Sequence, residues 1–420
     1  MTTMMLSDPT ASARRRAVPR RWIHVGVAAL AMVATLPGRT HGLGLFTEPI
    51  LRDFGLDRAD YGLIGLAGTL LGALFCLPCG WLTDRVGTRA VLVGTMGLLA
   101  VAVFGLAAWT GGIVGLFLLI LLTRGFGQSA LSVASLTLIG RSARDRTGLA
   151  MGLYSFLTSV GFLGAFILLR SVVTANPGEW RGPWTGIGVG VLAIAIASAL
   201  LVRNRALDAD AADPTAGAEP SRTLGQALRS GAFWVFALGT SLYGLVGSGT
   251  SLFNESILAE RGFGKAVFLN VSIVGIPVGL AANLLGGWLA TKIRLGRLFA
   301  GAMALLAITL TSFPFVVSEP QVYTYARGLA ASGGIITVCF FSVWRRLYGP
   351  AALGRIQGAA QLLTVLASGI GQALFPAVKG QFGEYPPLFL SCAPMALALA
   401  AFAWFVRADT PSPSTFGAER

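Results

Sequence analysis

The chain has 420 residues, 54% of them hydrophobic and only 12% charged, with a formal net charge of +14. A soluble domain carries about 25% charged residues, so this composition excludes a water-soluble globular protein. With two His and four Cys there is no cluster at metal-ligand spacing, no metal or other cofactor is expected, and no catalytic constellation or phosphate loop is present. An enzyme and direct nucleotide drive are therefore not expected.

Taken in chain order, residues 1–20 are polar and Arg-rich and are read as a disordered cytoplasmic N-terminus. Twelve apolar stretches follow, at about 22–48, 59–82, 90–109, 113–138, 149–172, 183–202, 232–256, 267–290, 298–317, 321–343, 355–378 and 386–406. Each approaches or exceeds the roughly 20 residues that cross a hydrocarbon core as helix. The runs are continuous rather than alternating, which predicts helices and not barrel strands. The first run is too long, and lacks the small-residue site, for a cleaved secretory signal, so it is expected to be retained. Residues 204–229, with Asp208, Asp210, Asp213, Pro214, Gly217 and Pro220, read as a flexible cytoplasmic linker. It separates a first unit, 21–203, from a second, 230–407, and 408–420 form a cytoplasmic tail.

The two units are copies. Gly42–Leu56 reads GLGLFTEPILRDFGL and Gly249–Phe263 reads GTSLFNESILAERGF, at an offset of 207. The same offset joins Gly80-Trp81-Leu82 to Gly287-Trp288-Leu289. Offsets of 203 to 206 join Arg124-Gly125 to Arg327-Gly328, Gly148 and Gly152 to Gly354 and Gly358, and Gly178-Glu179 to Gly383-Glu384. Duplication of half an apolar chain predicts an all-α membrane protein of twelve transmembrane helices in two pseudo-symmetric six-helix lobes.

The basic balance reports topology, not nucleic acid. Most of the 32 Lys and Arg fall on the side of the termini, against Arg52, Arg58, Arg170, Arg181, Arg261, Lys265 and Lys379 on the other. The positive-inside rule then places both termini in the cytoplasm. Cys76 and Cys79 lie inside the second span, where a thiol has no access to redox partners, and are read as packing residues.

Between spans two and three stands Gly80-Trp-Leu-Thr-Asp84-Arg85-Val-Gly87-Thr-Arg89. This closely resembles the loop signature G-x-L-a-D-r-x-G-r-k of the major facilitator superfamily. Arg124-Gly-Phe-Gly-Gln128 in span four resembles that superfamily's second signature. The resemblance covers residues 21–407 and implies secondary active transport by alternating access, with a substrate held between the lobes of a monomer in the cytoplasmic (inner) membrane. Asp84 at the loop can accept hydrogen bonds from a helix N-terminus of the other lobe and latch the cytoplasmic side, or simply solvate a short loop. Its duplicate position holds Thr291, so the latch is expected on one side only.

An Arg inside a span costs about 2.5–3.5 kcal/mol on insertion scales and requires an explanation. Arg39 follows Pro37-Gly38 in span one, and its duplicate position is Val246, so the fold does not require it. It is the leading candidate for binding an anion; the competing reading is an ion pair with Glu48 or Glu255. His41 stands two residues on. Arg124 and Arg327 are duplicates and read as scaffold; the resemblance also implies a proton-coupling role for Arg124, and Arg327 can join Arg39 around a carboxylate. Glu48 and Glu255, again duplicates, are expected to close the outer gate or pair with rim arginines, with proton carriage as the alternative. Tyr154, Tyr243, Asn254, Asn283 and Gln361 complete the candidate cavity residues. No Asp or Glu lies near the midpoint of any span, which favours a small organic anion, a carboxylate, with proton symport as the expected coupling. The alternatives are efflux of lipophilic compounds driven through Glu48 or Glu255, and a non-transporting membrane sensor or assembly protein on the same fold.

The start of the second unit, TLGQALRSGAFWVFALGTSLYG followed by ESILAERGFG, resembles that of monocarboxylate and oxalate/formate transporters. The chain departs from that branch in having no Arg or Lys over Phe268–Ala290, and it lacks the span-two and span-eight arginines of nitrate porters.

Overall fold

In the computed structural model, residues 22–142, 147–175, 178–202 and 221–406 are described, and the expected N-terminal segment and tail lie outside them. Among the described residues ten helices are long and apolar enough to cross a membrane, and two shorter apolar helices, Trp22–Gly38 and Val274–Leu289, bring the number of spans to twelve. No strand occurs among the described residues.

Span 1 is broken into pieces: helix over 22–33, a 3-10 turn Leu36–Gly38, then Thr40–Gly44 and Thr47–Phe54. Span 2 is Arg58–Ala73 with Cys76–Val86, span 3 Thr88–Ala108, and span 4 Ile113–Arg124 continued through a π-helical stretch Gly125–Leu131 into Ser132–Ser142. Span 5 is Thr147–Ala175 and span 6 Arg181–Leu201. The second lobe has spans 7 to 12 at Gly231–Glu260, Lys265–Leu289, Leu295–Ser312, Glu319–Tyr348, Leu353–Phe382 and Pro386–Phe405. Spans 3 and 6 pack together as 9 and 12 do, and 2 and 4 as 8 and 10 do, so the duplication in sequence is a duplication of packing.

The repeated residues explain themselves locally. Gly55 and Gly262 end the C-terminal extensions of spans 1 and 7 at φ 62° and 80°. Gly178 and Gly383, the other duplicated pair, stand at φ 91° and 76°. Only glycine enters that region without steric cost, which accounts for its identity in both copies. Beside them is a duplicated carboxylate that the sequence reading passed over. Asp53 accepts from Trp180 Nε1 at 2.6 Å and pairs with Arg181 at 3.2 Å. Glu260 pairs with Lys379 and accepts from the Tyr385 backbone N–H at 3.1 Å. Asp53 and Glu260 are related by the same offset of 207, so each lobe ties the end of its first helix to the entry of its sixth.

The expected flexible linker needs one correction. Its residues 204–220 lie outside the described ones, but Leu224–Leu228 is a helix, started by a capping box between Thr223 and Gln226. The reciprocal side-chain and backbone bonds satisfy two N–H groups that a helix start otherwise leaves open. The Arg222 N–H also donates to the Tyr348 carbonyl at 2.9 Å, fastening this segment to span 10.

Candidate functional site

The two lobes meet backbone to backbone at the end of the bundle that carries the Asp84 loop. A Cβ on Gly80 would lie 2.9 Å from the Gly354 carbonyl carbon, and one on Gly358 only 2.6 Å from the Cys76 carbonyl oxygen. On the opposite flank a Cβ on Gly152 would lie 2.9 Å from the Gly287 Cα. Gly80 duplicates Gly287, and Gly152 duplicates Gly358. The span 2–11 and 5–8 contacts are thus two copies of one backbone-to-backbone junction, made possible by small residues.

Asp84 locks one of the two. It accepts from the backbone N–H groups of Gly354 at 2.8 Å and Arg355 at 3.0 Å, and pairs with Arg355 Nε at 3.2 Å and Arg141 Nη2 at 2.9 Å. Its side chain is 2% exposed, so it serves as an N-cap supplied by the other lobe, to a helix starting at Leu353. Thr291, its duplicate, is exposed and bonds only its own turn through Trp288 O. Arg85 stacks over Trp81 at 4.9 Å, Gly87 adopts φ 101°, and Arg89 donates to Ala199 O at 2.5 Å, so these signature residues shape the loop within the first lobe.

Two further cross-lobe contacts escaped the sequence reading. Arg345 Nη1 donates to the carbonyls of Gly140 at 2.7 Å and Arg141 at 3.1 Å, the open C-terminal carbonyls of span 4. Buried Gln357 accepts from Thr137 at 2.8 Å. The signal for the first was present, since Arg345 stands 204 residues after Arg141, close to the offset of the other duplicates.

Beyond this closed end the lobes part around a cavity of about 700 Å3. Its first-lobe wall comes from the break in span 1 and from span 5, with Leu36, Arg39, Ser159, Phe162, Leu163 and Phe166. The second-lobe wall comes from spans 7, 8 and 10 and includes Tyr243, Thr250, Asn254, Asn283 and Tyr325. The lining residues run from the middle of the helices toward the end opposite Asp84.

The chain break places Arg39. After the turn at Pro37-Gly38, Arg39 is extended, with φ −93° and ψ 153°. Gly38 is pressed against the π-helical part of span 4, where an added Cβ would lie 2.9 Å from the Gly127 Cα. A π-helical turn widens the helix and is frequent at functional sites. Span 7, with Gly244 and Val246 at the corresponding positions, runs unbroken. Arg39 Nε donates to Thr35 at 2.7 Å, and Nη2 reaches Ser132 Oγ at 3.4 Å and Met32 Sδ at 3.2 Å. Its guanidinium lies 5.0 Å from the Phe162 ring centroid. Among the described residues no acceptor takes the Nη1 N–H groups and no carboxylate is within ion-pair distance of the guanidinium.

Several candidates stand elsewhere. The ion pair of Arg39 with Glu48 is not formed, because Glu48 pairs with Arg58 at 2.6 Å on the rim, where the two side chains are 54% and 81% exposed. Glu255 is exposed and does not line the cavity. Arg327 is not a cavity residue: Tyr325, Ala326, Leu329 and Ala330 carry the inward stripe of span 10, and the helical turn sends Arg327 to an exposed face. Tyr154 is fully buried beneath the cavity, bonded to Ser135 at 2.9 Å, and Gln361 is half-buried away from it. The side chain of His41 lies outside the described residues. Arg124 is 5% exposed, with its Nε buried and unpartnered and Nη1 3.5 Å from Thr40 Oγ1. Thr40 also accepts from Gln372 of span 11 at 2.9 Å, so Arg124 reaches the other lobe through one hydroxyl.

Two six-helix lobes closed at one end around a polar-tipped cavity define a secondary-transporter architecture. Residues 27–371 match the sequence profile of the Major Facilitator Superfamily, and the chain belongs to that family. It is 26% identical to human monocarboxylate transporter 11, over 88% of this chain and 79% of that protein. Identity to the oxalate:formate antiporter of Oxalobacter formigenes is 23%, covering 94% of each. A probable nitrate/nitrite transporter, NarK2, of Mycobacterium tuberculosis is 27% identical over 82% of this chain and 85% of that one. Among solved structures, the proton:xylose symporter XylE bound to 6-bromo-6-deoxy-D-glucose superposes with a TM-score of 0.72 at 15% identity, over 94% of this chain and 98% of the other. The transporter FucP in the outward conformation gives 0.70 at 14%, over 91% and 99%. These likenesses to solved structures show the fold.

Proposed function

We propose that this membrane transporter carries a small organic anion, a carboxylate, by alternating access, with protons as the coupling ion. The observation that carries the reading is Arg39: a guanidinium on the wall of the interlobe cavity, with open N–H donors and no carboxylate to neutralise it. A desolvated cation of this kind is retained at a cost, and a bidentate carboxylate matches its free edge. The monocarboxylate transporter, the oxalate:formate antiporter and the probable nitrate/nitrite transporter among its relatives are named for anions, which agrees with the charge of the cavity.

The positive-inside rule puts the Asp84 end and both termini in the cytoplasm, and the membrane is then the cytoplasmic (inner) one. The structure is on this reading the outward-facing state of a monomer, with Asp84 as its cytoplasmic latch. Efflux of lipophilic compounds through Glu48 or Glu255 finds less support, since Glu48 is engaged with Arg58 at the rim and neither residue lines the cavity.

The test is uptake into proteoliposomes of labelled mono- and dicarboxylates, amino acids, sugars and cationic dyes, with and without an inward proton gradient. Saturable carboxylate uptake that the gradient accelerates is expected. Movement of dyes alone sinks the anion reading, and carboxylate uptake indifferent to the gradient removes the proton.

A further inference from the structure

We propose that Tyr243 and Thr337 form a neutral subsite on the second-lobe wall, where their two hydroxyls hold one carbonyl oxygen that the anion carries at a distance from its carboxylate. The proposal rests on the anion reading above and narrows its substrate class to a monocarboxylate with a remote, uncharged carbonyl.

Both residues line the cavity, and the register of span 10 brings their hydroxyls together. A Cβ on Gly333 would stand 2.8 Å from Tyr243 Cε2 and would overlap the Tyr243 hydroxyl. The phenol oxygen thus occupies the place that a side chain at position 333 would take. Thr337 follows four residues later, on the same lining stripe as Ala326, Ala330 and Gly333. Cβ positions four apart on a helix are about 5–6 Å from each other. An O–H···O bond is about 2.7–2.8 Å long, so one oxygen between the two hydroxyls reaches both.

Neither hydroxyl is spent on the protein. Among the described residues Tyr243 and Thr337 have no hydrogen-bond partner, and neither oxygen is sealed from the cavity. Thr309, Thr324 and Thr364 each donate to the carbonyl four residues before them, a common resort of threonine inside a helix. Thr337 makes no such bond to Gly333. The scaffold does not ask for the phenol either. At the offset of 207, Tyr243 corresponds to Leu36, which lines the cavity from the first lobe. Three residues after these two stand Val246 and Arg39. The first wall therefore combines an apolar side chain with a charge, and the second an apolar side chain with a phenol seated in the notch at Gly333.

The chemistry of the subsite selects its ligand group. Among the described residues lining the cavity, Arg39 alone is charged. A second carboxylate would meet no cation on the far wall and would be desolvated without compensation. A carbonyl oxygen has two lone pairs and accepts from both hydroxyls at once. Arg39 and the hydroxyls belong to opposite walls, so several atoms separate the carbonyl from the carboxylate.

The experiment is calorimetry on the purified full-length chain with hexanoate, 5-oxohexanoate and adipate, three six-carbon carboxylates that differ at the far end. 5-Oxohexanoate is expected to bind roughly 5- to 50-fold tighter than hexanoate, as two net hydrogen bonds allow, and adipate more weakly than either. Tyr243→Phe and Thr337→Val should each cut the preference for the oxo acid at least threefold. Gly333→Ala should do the same by forcing the ring out of its notch. A hydroxyl with only a structural role would weaken both monoanions alike and preserve their ratio, and that result overturns the subsite. So does equal binding of the two monoanions by the unsubstituted chain, tightest binding of adipate, or binding of none. Arg39→Gln keeps the two readings apart. Loss of both monoanions in that variant supports the anion reading whatever their ratio in the unsubstituted chain. Undiminished binding of both there overturns the anion reading, and the substrate class assigned here falls with it.

Discussion

Arg39 is held by a hydroxyl, a thioether and the face of a phenyl ring, none of which carries negative charge. Its field is therefore unspent. Hydrogen bonds to a charged group contribute about 1.5–3 kcal/mol, so Arg39→Gln should lower carboxylate uptake by roughly 10- to 100-fold while the protein remains folded. Retained uptake would remove Arg39 from the site. Arg39→Lys keeps the charge without the planar fork and should fall between the two. Glu48→Gln is expected to leave proton-driven uptake within about twofold, because an exposed ion pair contributes little. A loss of gradient dependence in that variant would return Glu48 to the coupling machinery. Arg39 was legible in the sequence through its asymmetry with Val246. Arg327 shows the limit of that reasoning, since residue type and depth in the span were right for a cavity but the helical face was not.

Among the elements, the contrast between spans 1 and 7 is the most instructive. They descend from one segment, yet span 7 is continuous and span 1 breaks at Pro37-Gly38. Proline removes a backbone donor and clashes with the preceding turn, and the freed chain turns Arg39 toward the cavity. That break was readable from the residues. The π-helical turn in span 4 was not, because its signature, Gly125-Phe-Gly-Gln, specifies small residues without stating what they pack against. The small residues of spans 2 and 11 make a prediction at this scale. Gly80→Ala places a Cβ 2.9 Å from the Gly354 carbonyl carbon and 3.2 Å from the Arg355 Cα. Both neighbours are backbone, so the closed end must part, and uptake should fall together with thermal stability. Wild-type stability and uptake in Gly80→Ala would show that the junction tolerates separation.

For the whole molecule, closure of one end is a contest between few contacts. The Asp84 carboxylate answers two backbone donors and two guanidinium groups, three of these four partners counted across or beside the lobe boundary at Gly354 and Arg355. Such an anion at a helix N-terminus is favoured by about 0.3–1 kcal/mol, and by up to about 2 kcal/mol when partly buried. Asp84→Asn should therefore shift the balance toward opening at this end. The measurement is maleimide labelling of Thr337→Cys, a cavity-lining position, from the Asp84 side of the membrane. Severalfold faster labelling in the Asp84→Asn background is expected, and an unchanged rate would count against the latch.

By itself the sequence determined the class, the number of spans and the twofold repeat, since these follow from apolar run length and from residues that recur at a fixed offset. It also repeated Gly55 at Gly262, although the positive φ of both was seen only in the structure. Which side chains share the cavity was decided only by the tertiary structure. Helical phase turned Arg327 outward and Tyr154 beneath the floor, and Glu48 found Arg58 ten residues along its own chain before any partner in the cavity.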